Sequence, residues 1–249
     1  MIGLISLNIV FANSLDNAQI KSVKFIGNKN IKSNSLQKII NVQNKSIFTD
    51  LPFDRRVIKL DAISIKNYYL TNGYLDVSVV DSFSVNEKSA DIYFRILEGK
   101  QYFLNSINIS GNNSLKDEEI FSLLNLRKNY PFNPVGIQIN RNRLDDRYFE
   151  NSKLFTNIKI DPLVSDSVTV NIIIDEGPDI SINKIYIEGK NEDLDSNLIY
   201  RELLFSKNDK YVKSKIDLSQ RKLMEIGIFS MAAITPVKNI SNDSTVNIV

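Results

Sequence analysis

The side chains that could carry out catalysis in this chain are carboxylates, hydroxyls and amines, because the sequence contains no histidine and no cysteine. This composition excludes thiol nucleophiles, Ser-His triads and most zinc chemistry. The densest acidic group on one predicted helix is Asp145, Asp146 and Glu150, and paired carboxylates can exchange protons in a cleft. The same helix is rich in arginine, so a solvated helix face explains these charges better.

A second acidic group superficially resembles a calcium loop. The polar run Asn112 to Ser114 is followed by three acidic residues, Asp117 to Glu119. The spacing does not match an EF-hand loop, whereas acidic residues suit the positive end of a helix dipole. None of the glycines begins a phosphate-binding loop. We therefore expect no metal, no cofactor and no enzymatic activity.

Two charged groups in the last third of the chain are candidates for binding a partner. Arg201 and Glu202 adjoin Leu203 and Leu204, which predicts either a docking face for an accessory protein or a solvated face with weak local ion pairs. The basic run of Lys207, Lys210, Lys213 and Lys215 suits either lipid headgroups or a solvated loop. With 31 basic and 29 acidic residues the chain is too balanced in charge to indicate nucleic-acid binding.

These groups belong to a chain in which one sequence motif occurs three times. An apolar strand pattern ends in glycine at Gly27, Gly111 and Gly189, which are separated by 84 and then 78 positions. A second marker, Glu-Gly, recurs at Glu98 and Glu176. We interpret the three glycines that end this motif as structural turns, because glycine adopts the positive φ that such turns need. The repeat predicts a row of small modules rather than one active site.

Each copy has the same predicted order of elements. In the first copy a short strand is followed by a helix with Ser33 as its N-cap, and then by a longer helix from Arg55 to Leu70. The apolar face of this longer helix comprises Val57, Ile58, Leu60, Ile63, Ile65, Tyr68 and Tyr69. A period of two follows, which predicts a hairpin of two strands that ends at Glu98.

The later copies follow the same order with local changes. In the second copy Asp117 takes the place of the Ser33 cap, and the longer helix covers 137–149. In the third, Tyr200, Leu203 and Leu204 lie on the first predicted helix, and 216–224 forms the second. The fold class is therefore α+β, with three tandem β-α-α-β-β modules, each a three-stranded sheet packed on two helices.

The domain organisation follows from the repeat. We expect a signal peptide and leader at 1–18, modules at 19–99 and 100–177, and a third module at 178–249 that is truncated in its last strand. The truncation is expected because 244–249 matches 168–173 of the second copy, and the copy of Glu176-Gly177 is missing.

These features resemble the polypeptide-transport-associated (POTRA) domain. The shared pattern is an apolar strand ending in Gly-Asn, the β-α-α-β-β order, and Glu-Gly after the third strand. The third copy, with Arg201-Glu202-Leu203 and the run 219–229, is similar to BamA- and TamA-type outer-membrane assembly factors. Gly189-Lys190 departs from Gly-Asn.

The resemblance implies a periplasmic region of an outer-membrane protein assembly factor, located at the periplasmic face of the outer membrane. The implied partners are unfolded outer-membrane proteins, periplasmic accessory lipoproteins or chaperones, and a C-terminal membrane β-barrel missing from this chain. The first hairpin strand of each module is expected at a sheet edge, where a client segment can add as a strand. The residues expected on these edges are Val77, Val79, Ile158, Ile160, Ala232 and Ile234.

Other interpretations remain open at the level of sequence. The edges are equally well ordinary strand edges, blunted by Pro162 and Pro236. Within the same family, the chain suits a two-partner secretion transporter. Outside it, a periplasmic hydrolase or a purely structural adaptor is the alternative, although no module breaks the repeat with catalytic residues of its own.

Overall fold

The computed structural model describes residues 18–42, 53–86, 89–189 and 195–249. The expected signal peptide lies outside this part, apart from Ala18, whose side chain is buried. Three copies of one β-α-α-β-β arrangement follow each other along the chain. The fold class predicted from the sequence is confirmed, because each copy forms its own three-stranded sheet.

The secondary structure elements are bounded as follows. The first module contains β1 (Gln19–Ile26), α1 (Ser33–Gln37), α2 (Arg55–Thr71), β2 (Ser78–Asn86) and β3 (Ser89–Leu97). The second contains β4 (Leu104–Ser110), α3 (Asp117–Leu124), α4 (Pro134–Glu150), β5 (Asn157–Val164) and β6 (Val168–Asp175). The third contains β7 (Ser181–Ile185), α5 (Ser196–Glu202), α6 (Lys213–Glu225), β8 (Pro236–Lys238) and β9 (Thr245–Ile248).

The last strand of each module is the central strand of its sheet. The strand orders are β1-β3-β2, β4-β6-β5 and β7-β9-β8. In the first sheet β1 pairs with β3 in parallel, and β2 pairs with β3 in antiparallel register. The third sheet has the same directions. The first strand and the first hairpin strand therefore form the two edges of each sheet.

The core of the first module lies between its sheet and its helices. Alternate residues of β3 are buried, as are Ile58, Ile65 and Tyr69 on α2. These three helical residues follow a spacing of about one or two turns, so they share one face of α2. In the second module β6 shows the same alternation, and Leu144 and Tyr148 occupy the positions that correspond to Ile65 and Tyr69.

Two apolar residues on α2 do not belong to this core. Leu60 and Ile63 were expected on the buried face, but their side chains are 58% and 55% exposed. The sequence pattern was misleading because apolar residues occur around most of the circumference of α2. Only the contacts with the sheet decide which of them are buried.

The expected helix caps are also wrong. The N-cap of α1 is Lys32 and that of α3 is Lys116, and neither side chain makes a capping hydrogen bond. Ser33 instead accepts a hydrogen bond from the Asn28 amide at 3.0 Å, and Asp117 accepts one from the Asn112 amide at 2.7 Å. The Gly-Asn motif therefore contributes more than a turn, because its asparagine connects the end of the first strand to the start of the helix.

In the third module the first helix is shorter than expected. Helix α5 ends at Glu202, so Leu203 and Leu204 follow the helix instead of lying on it. Tyr200 is on α5 but exposed, and Ile199 is the residue that α5 buries. The N-cap of α5 is Asp195, whose side chain accepts a hydrogen bond from the Asn197 amide.

The described chain forms two compact units. The first unit continues to Asn105 and includes Lys128–Gly136 and Ser165–Val168. The second contains Ser106–Arg127, Ile137–Val164 and Thr169–Val249. Among the helices that the structure describes, none has both the length and the apolar character needed to cross a membrane.

Candidate edge-strand binding site

The candidate site begins with the two edges of each sheet, which are not equivalent. The first strand of each module is covered at its start by the segment that precedes the second helix. The amide of Phe53 donates to the carbonyl of Ala18 at 2.9 Å, and Phe132 donates to Tyr102 at 2.9 Å. In the third module Tyr211 donates to Ile180 at 2.9 Å. The same backbone contact therefore occupies the start of this edge in all three copies.

Further contacts extend this cover in the second and third modules. The amide of Leu104 donates to the Tyr130 carbonyl at 2.9 Å, and Asn129 donates to the Leu104 carbonyl at 2.7 Å. In the third module Ile182 and Asn208 make the matching pair of contacts, because Ile182 donates to Asp209 and Asn208 donates to Ile182. Asn129 and Asn208 both have positive φ, which turns the covering segment along the strand.

The opposite edge carries the first hairpin strand. Within the described residues, the backbone of β2 pairs only with β3. An unpaired strand edge presents a row of N–H and C=O groups that another extended segment can use. The first strand of the same sheet is less suitable, because its register with β3 is irregular between Ile20 and Ser22.

The three hairpin edges differ in length and in whether they contain proline. Strand β2 has nine residues and no proline, whereas β5 has eight residues and includes Pro162. Strand β8 has three residues and begins with Pro236. Because proline lacks a backbone donor, it interrupts pairing along an edge. The structure therefore makes β2 the longest continuous edge of the three.

Four of the six residues predicted on these edges lie on or beside the open strands. Val79 is part of β2, and Val77 is buried immediately before it. Ile158 and Ile160 are both part of β5, with Ile158 buried against the core. Their side chains anchor the edge strands, and pairing with a client would use the backbone groups. That these strands bind peptide stays a prediction.

The remaining two predicted edge residues, Ala232 and Ile234, lie outside β8, and the prediction is wrong for them in this respect. The Ile234 amide donates to the Gln220 side chain at 3.2 Å, and the Ala232 amide lies 3.0 Å from the sulfur of Met224. Side chains of α6 therefore take the backbone donors that an incoming strand would need.

An apolar cavity of about 730 Å³ lies beside this irregular segment of the third module. Its lining includes Leu203, Phe229, Ile234 and Ile248. The segment 228–234 therefore borders the cavity, and backbone pairing begins only at Thr235, which exchanges hydrogen bonds with Val249.

A buried carboxylate fixes the end of the central strand in the first module, a role that sequence reasoning missed. Glu98 accepts hydrogen bonds from the backbone and side-chain amides of Asn30 at 3.0 and 2.7 Å. It also accepts one from the Tyr69 hydroxyl at 2.8 Å. Burial opposes the charged form, but these hydrogen bonds outweigh it and hold the pKa of Glu98 below its usual value. Glu98 thus joins β3, the turn after β1, and α2.

The second module repeats this arrangement with one difference. Glu176 accepts hydrogen bonds from the backbone amide and hydroxyl of Ser114 at 2.7 and 2.5 Å. The hydroxyl of Tyr148 is buried and has no hydrogen-bond partner among the described residues. Burial and the negative charge of Glu176 raise the pKa of Tyr148. The signal in the sequence was the pairing of Glu-Gly with a tyrosine four residues before the turn that ends the longer helix.

A backbone contact also connects each module to the next. The Tyr102 amide donates to the Gly73 carbonyl at 2.8 Å, and the Ile180 amide donates to the Ser152 carbonyl at 2.8 Å. Gly73 and Ser152 both have positive φ at the end of the longer helix. Ser152 therefore adopts the conformation of the glycine that the second copy lacks.

Ion pairs strengthen the connection between the second and third modules. Asp179 lies 2.9 Å from both Lys153 and Lys210. Hydrogen bonds from these two lysines lower the pKa of Asp179 to about 2. The carboxylate of Glu150 accepts hydrogen bonds from the amide and hydroxyl of Ser214 at 2.5 and 2.9 Å, so it caps the first turn of α6.

The other charged candidates are engaged locally. Glu202 pairs with Arg201 at 3.3 Å and with Lys222 at 3.9 Å, which connects α5 to α6. Within the basic run, Lys210 pairs with Asp179, and Lys213 pairs with Asp217 and Asp146. Docking of a partner at Arg201 and Glu202 stays a prediction. Three clustered ligands for a metal ion are not found among the described side chains.

The turn glycines differ in how strictly they require glycine. Gly27 and Gly111 have φ of 92° and 84°, and an added Cβ would lie 2.1 and 1.9 Å from the carbonyl oxygens of Ile96 and Ile174. The backbone of the central strand therefore leaves no room for a side chain. Gly189 has φ of 69°, but an added Cβ would meet nothing within 4 Å.

The sequence matches the POTRA family, described as "Surface antigen variable number repeat", over residues 18–99, 102–177 and 180–249. The chain belongs to the POTRA family. Its three POTRA modules therefore coincide with the three sheets of the structure.

Two similar proteins carry names that describe outer-membrane protein assembly factors. A "Putative outer membrane protein assembly factor" of Treponema pallidum is 25% identical over 240 residues, covering 92% of this chain and 28% of the relative. The "Outer membrane protein assembly factor BamA" of Neorickettsia risticii is 24% identical over 218 residues, covering 84% of this chain and 29% of the relative. The chain thus spans less than a third of the length of these two relatives.

A solved structure shows the same fold. The crystal structure of Haemophilus influenzae BamA POTRA3-5 superimposes with a TM-score of 0.66 at 22% sequence identity. The match covers 93% of this chain and 94% of the solved chain. Three consecutive POTRA domains therefore account for nearly all of the described architecture.

Proposed function

We propose that this chain is the periplasmic, client-binding region of an outer-membrane protein assembly factor, and that β2 is its principal binding edge. The chain binds extended segments of unfolded outer-membrane proteins as an additional strand beside β2. The observation that carries the proposal is the open, proline-free edge of β2, which contrasts with a first-strand edge that is occupied where the strand begins. The names of the similar proteins support the assignment to assembly.

Strand addition suits a region that handles many clients. Backbone hydrogen bonds supply the contacts, so the client needs an extended conformation more than a particular sequence. Each such bond contributes about 0.5–1.5 kcal/mol net, so pairing over a few residues gives weak and reversible binding. Reversible binding fits a region that passes clients onward.

The outer face of β2 adds an apolar contact for a client. Val80 is exposed on the face opposite the core, whereas Phe83 packs edge-on against Phe53 with ring centroids 4.8 Å apart. A client strand with alternating apolar residues can therefore pack beside Val80 while pairing with the backbone. Membrane β-strands have this alternation. We also propose that accessory proteins of the periplasm bind other parts of the chain.

The experiment uses a pair of proline substitutions, Val79→Pro and Val80→Pro. Neighbouring residues of a strand direct their N–H groups to opposite sides, so one variant disrupts pairing with β3 and the other removes only an outward donor. The variant that keeps the native Tm is then titrated with a labelled peptide from a transmembrane strand of an outer-membrane protein. We expect this stable variant to lose most of its affinity for the peptide.

The matched control is Pro162→Val in β5, which restores a donor to the weaker edge. We expect it to create or strengthen a second binding event without weakening the first. Unchanged affinity in the stable β2 variant would contradict the proposal that β2 is the binding edge.

A further inference from the structure

The helix α2 carries an exposed stripe that the edge-strand site does not use. Its solvent-facing residues between the two ends of the helix are Arg56, Lys59, Leu60, Ile63, Lys66 and Asn67, here called the α2 stripe. Leu60 and Ile63 lie next to each other in its middle, with 58% and 55% of each residue exposed. Single exposed aliphatic residues are common, whereas two adjacent ones on one helical face form a patch.

The spacing of the α2 stripe is that of a coiled-coil seam. Leu60, Ile63 and Asn67 follow each other at intervals of three and four residues, which are the a, d and a positions of a heptad. Lys59 and Lys66 immediately precede the two a positions, so both occupy g positions beside the seam. An asparagine at an a position sets the register of two packed helices.

The charge of the α2 stripe is entirely positive. The only acidic residue of α2 is Asp61, which is fully buried. Asp61 accepts hydrogen bonds from the backbone amides of Asn41 and Val42 at 2.8 and 2.7 Å, so it serves the interior of the module. Lys59 and Lys66 therefore have no acidic neighbour on their own helix face.

We propose that the α2 stripe docks an α-helix of a partner protein, with aliphatic residues at its a and d positions and acidic residues beside them. The aliphatic pair fits between the side chains of such a helix, and the lysines face its carboxylates. Two aliphatic residues make too narrow an apolar face for a helix that lies in a membrane interface. The partner is therefore an acidic amphipathic helix, and the proposal does not depend on strand addition at β2.

The test uses a synthetic helical peptide of three heptads, with leucine at a and d and glutamate at e and g. A second peptide carries lysine in place of every glutamate. Both are titrated into the isotope-labelled chain, and binding is followed by shifts of the backbone amide resonances. We expect only the acidic peptide to bind, with shifts confined to α2 and with affinity that falls as salt is added.

Two double variants separate the contributions to binding. Leu60→Gln with Ile63→Gln keeps helix-forming side chains and should weaken binding of the acidic peptide by about tenfold or more. Lys59→Glu with Lys66→Glu should transfer the preference to the basic peptide. The matched control is Ile139→Gln on α4, which is 69% exposed at the equivalent position but lies among Asn142, Arg143 and Asp146. It should leave binding unchanged.

Three results would overturn the proposal. One is the absence of binding by the acidic peptide, and another is equal binding by the Leu60 and Ile63 double variant. The third is binding of phosphatidylglycerol vesicles through the α2 stripe without binding of the peptide, which would assign the stripe to a membrane surface. Circular dichroism of each variant confirms that a loss of binding is not a loss of fold.

Discussion

The hydroxyl of Tyr69 donates to the carboxylate of Glu98 at 2.8 Å, and the two side chains are buried together at the end of the central strand. In the next module Tyr148 and Glu176 occupy the same places, but the Tyr148 hydroxyl has no partner among the described residues. The two modules therefore provide a natural comparison between a satisfied and an unsatisfied buried hydroxyl.

Tyr69→Phe and Tyr148→Phe should differ in their effect on stability. Tyr69→Phe removes a hydrogen bond to a charged acceptor, so it should lower the free energy of unfolding by about 1.5–3 kcal/mol. Tyr148→Phe removes a buried hydroxyl that lacks such a well-formed hydrogen bond, so it should lower the free energy of unfolding by clearly less than Tyr69→Phe does. Urea unfolding of both variants, each followed by hydrogen exchange within its own module, measures the difference. Equal destabilisation would contradict the assigned roles.

Glu98→Gln should make the first module less sensitive to acid. The folded-state pKa of Glu98 is below its value in the unfolded chain, so the carboxylate contributes stability above the unfolded pKa. That contribution disappears as the pH falls through the lowered folded pKa. We expect Glu98→Gln to be less stable than the wild type at pH 7. We also expect this variant to lose less stability than the wild type between pH 5 and pH 2. Thermal unfolding across this range checks both parts, and parallel curves would refute them.

Gly27→Ala and Gly189→Ala should separate steric collision from backbone strain. Both positions have positive φ, which costs a non-glycine residue about 1–2 kcal/mol. Only Gly27 also faces a carbonyl oxygen, 2.1 Å from an added Cβ. Gly189→Ala should therefore show the strain alone, and Gly27→Ala should be much more destabilising or fail to fold. Comparable unfolding midpoints for the two variants would contradict this distinction.

The sequence was sufficient for the order of elements because each element has a distinct period. The alternation in β3 and β6 and the three glycine-ended strands predicted the three sheets. Because each weak sequence pattern occurs in three copies, a cap or turn residue that is missing from one copy did not prevent that module from being recognised. Ser152 illustrates this, because its positive φ replaces a glycine without changing the turn.

Other features could not be predicted because they depend on contacts between distant residues. The burial of Leu60 and Ile63 was predicted wrongly, since apolar spacing alone does not show which side of α2 faces the sheet. Ala232 and Ile234 were expected on an edge strand, but Gln220 and Met224 take their amides. The role of Glu98 was missed because its partners are 29 and 68 positions away, although the recurrence of Glu-Gly with a helix tyrosine was a signal for it.

Hydrogen exchange with a bound client peptide tests the central claim most directly. The chain is saturated with a peptide from an outer-membrane protein strand, and exchange of the backbone amides is compared with that of the free chain. Strand addition at β2 predicts that alternate amides of Ser78–Asn86 become protected, whereas those of β1 do not change. Protection that is absent from β2, or confined to the helices, would contradict binding by strand addition at this edge.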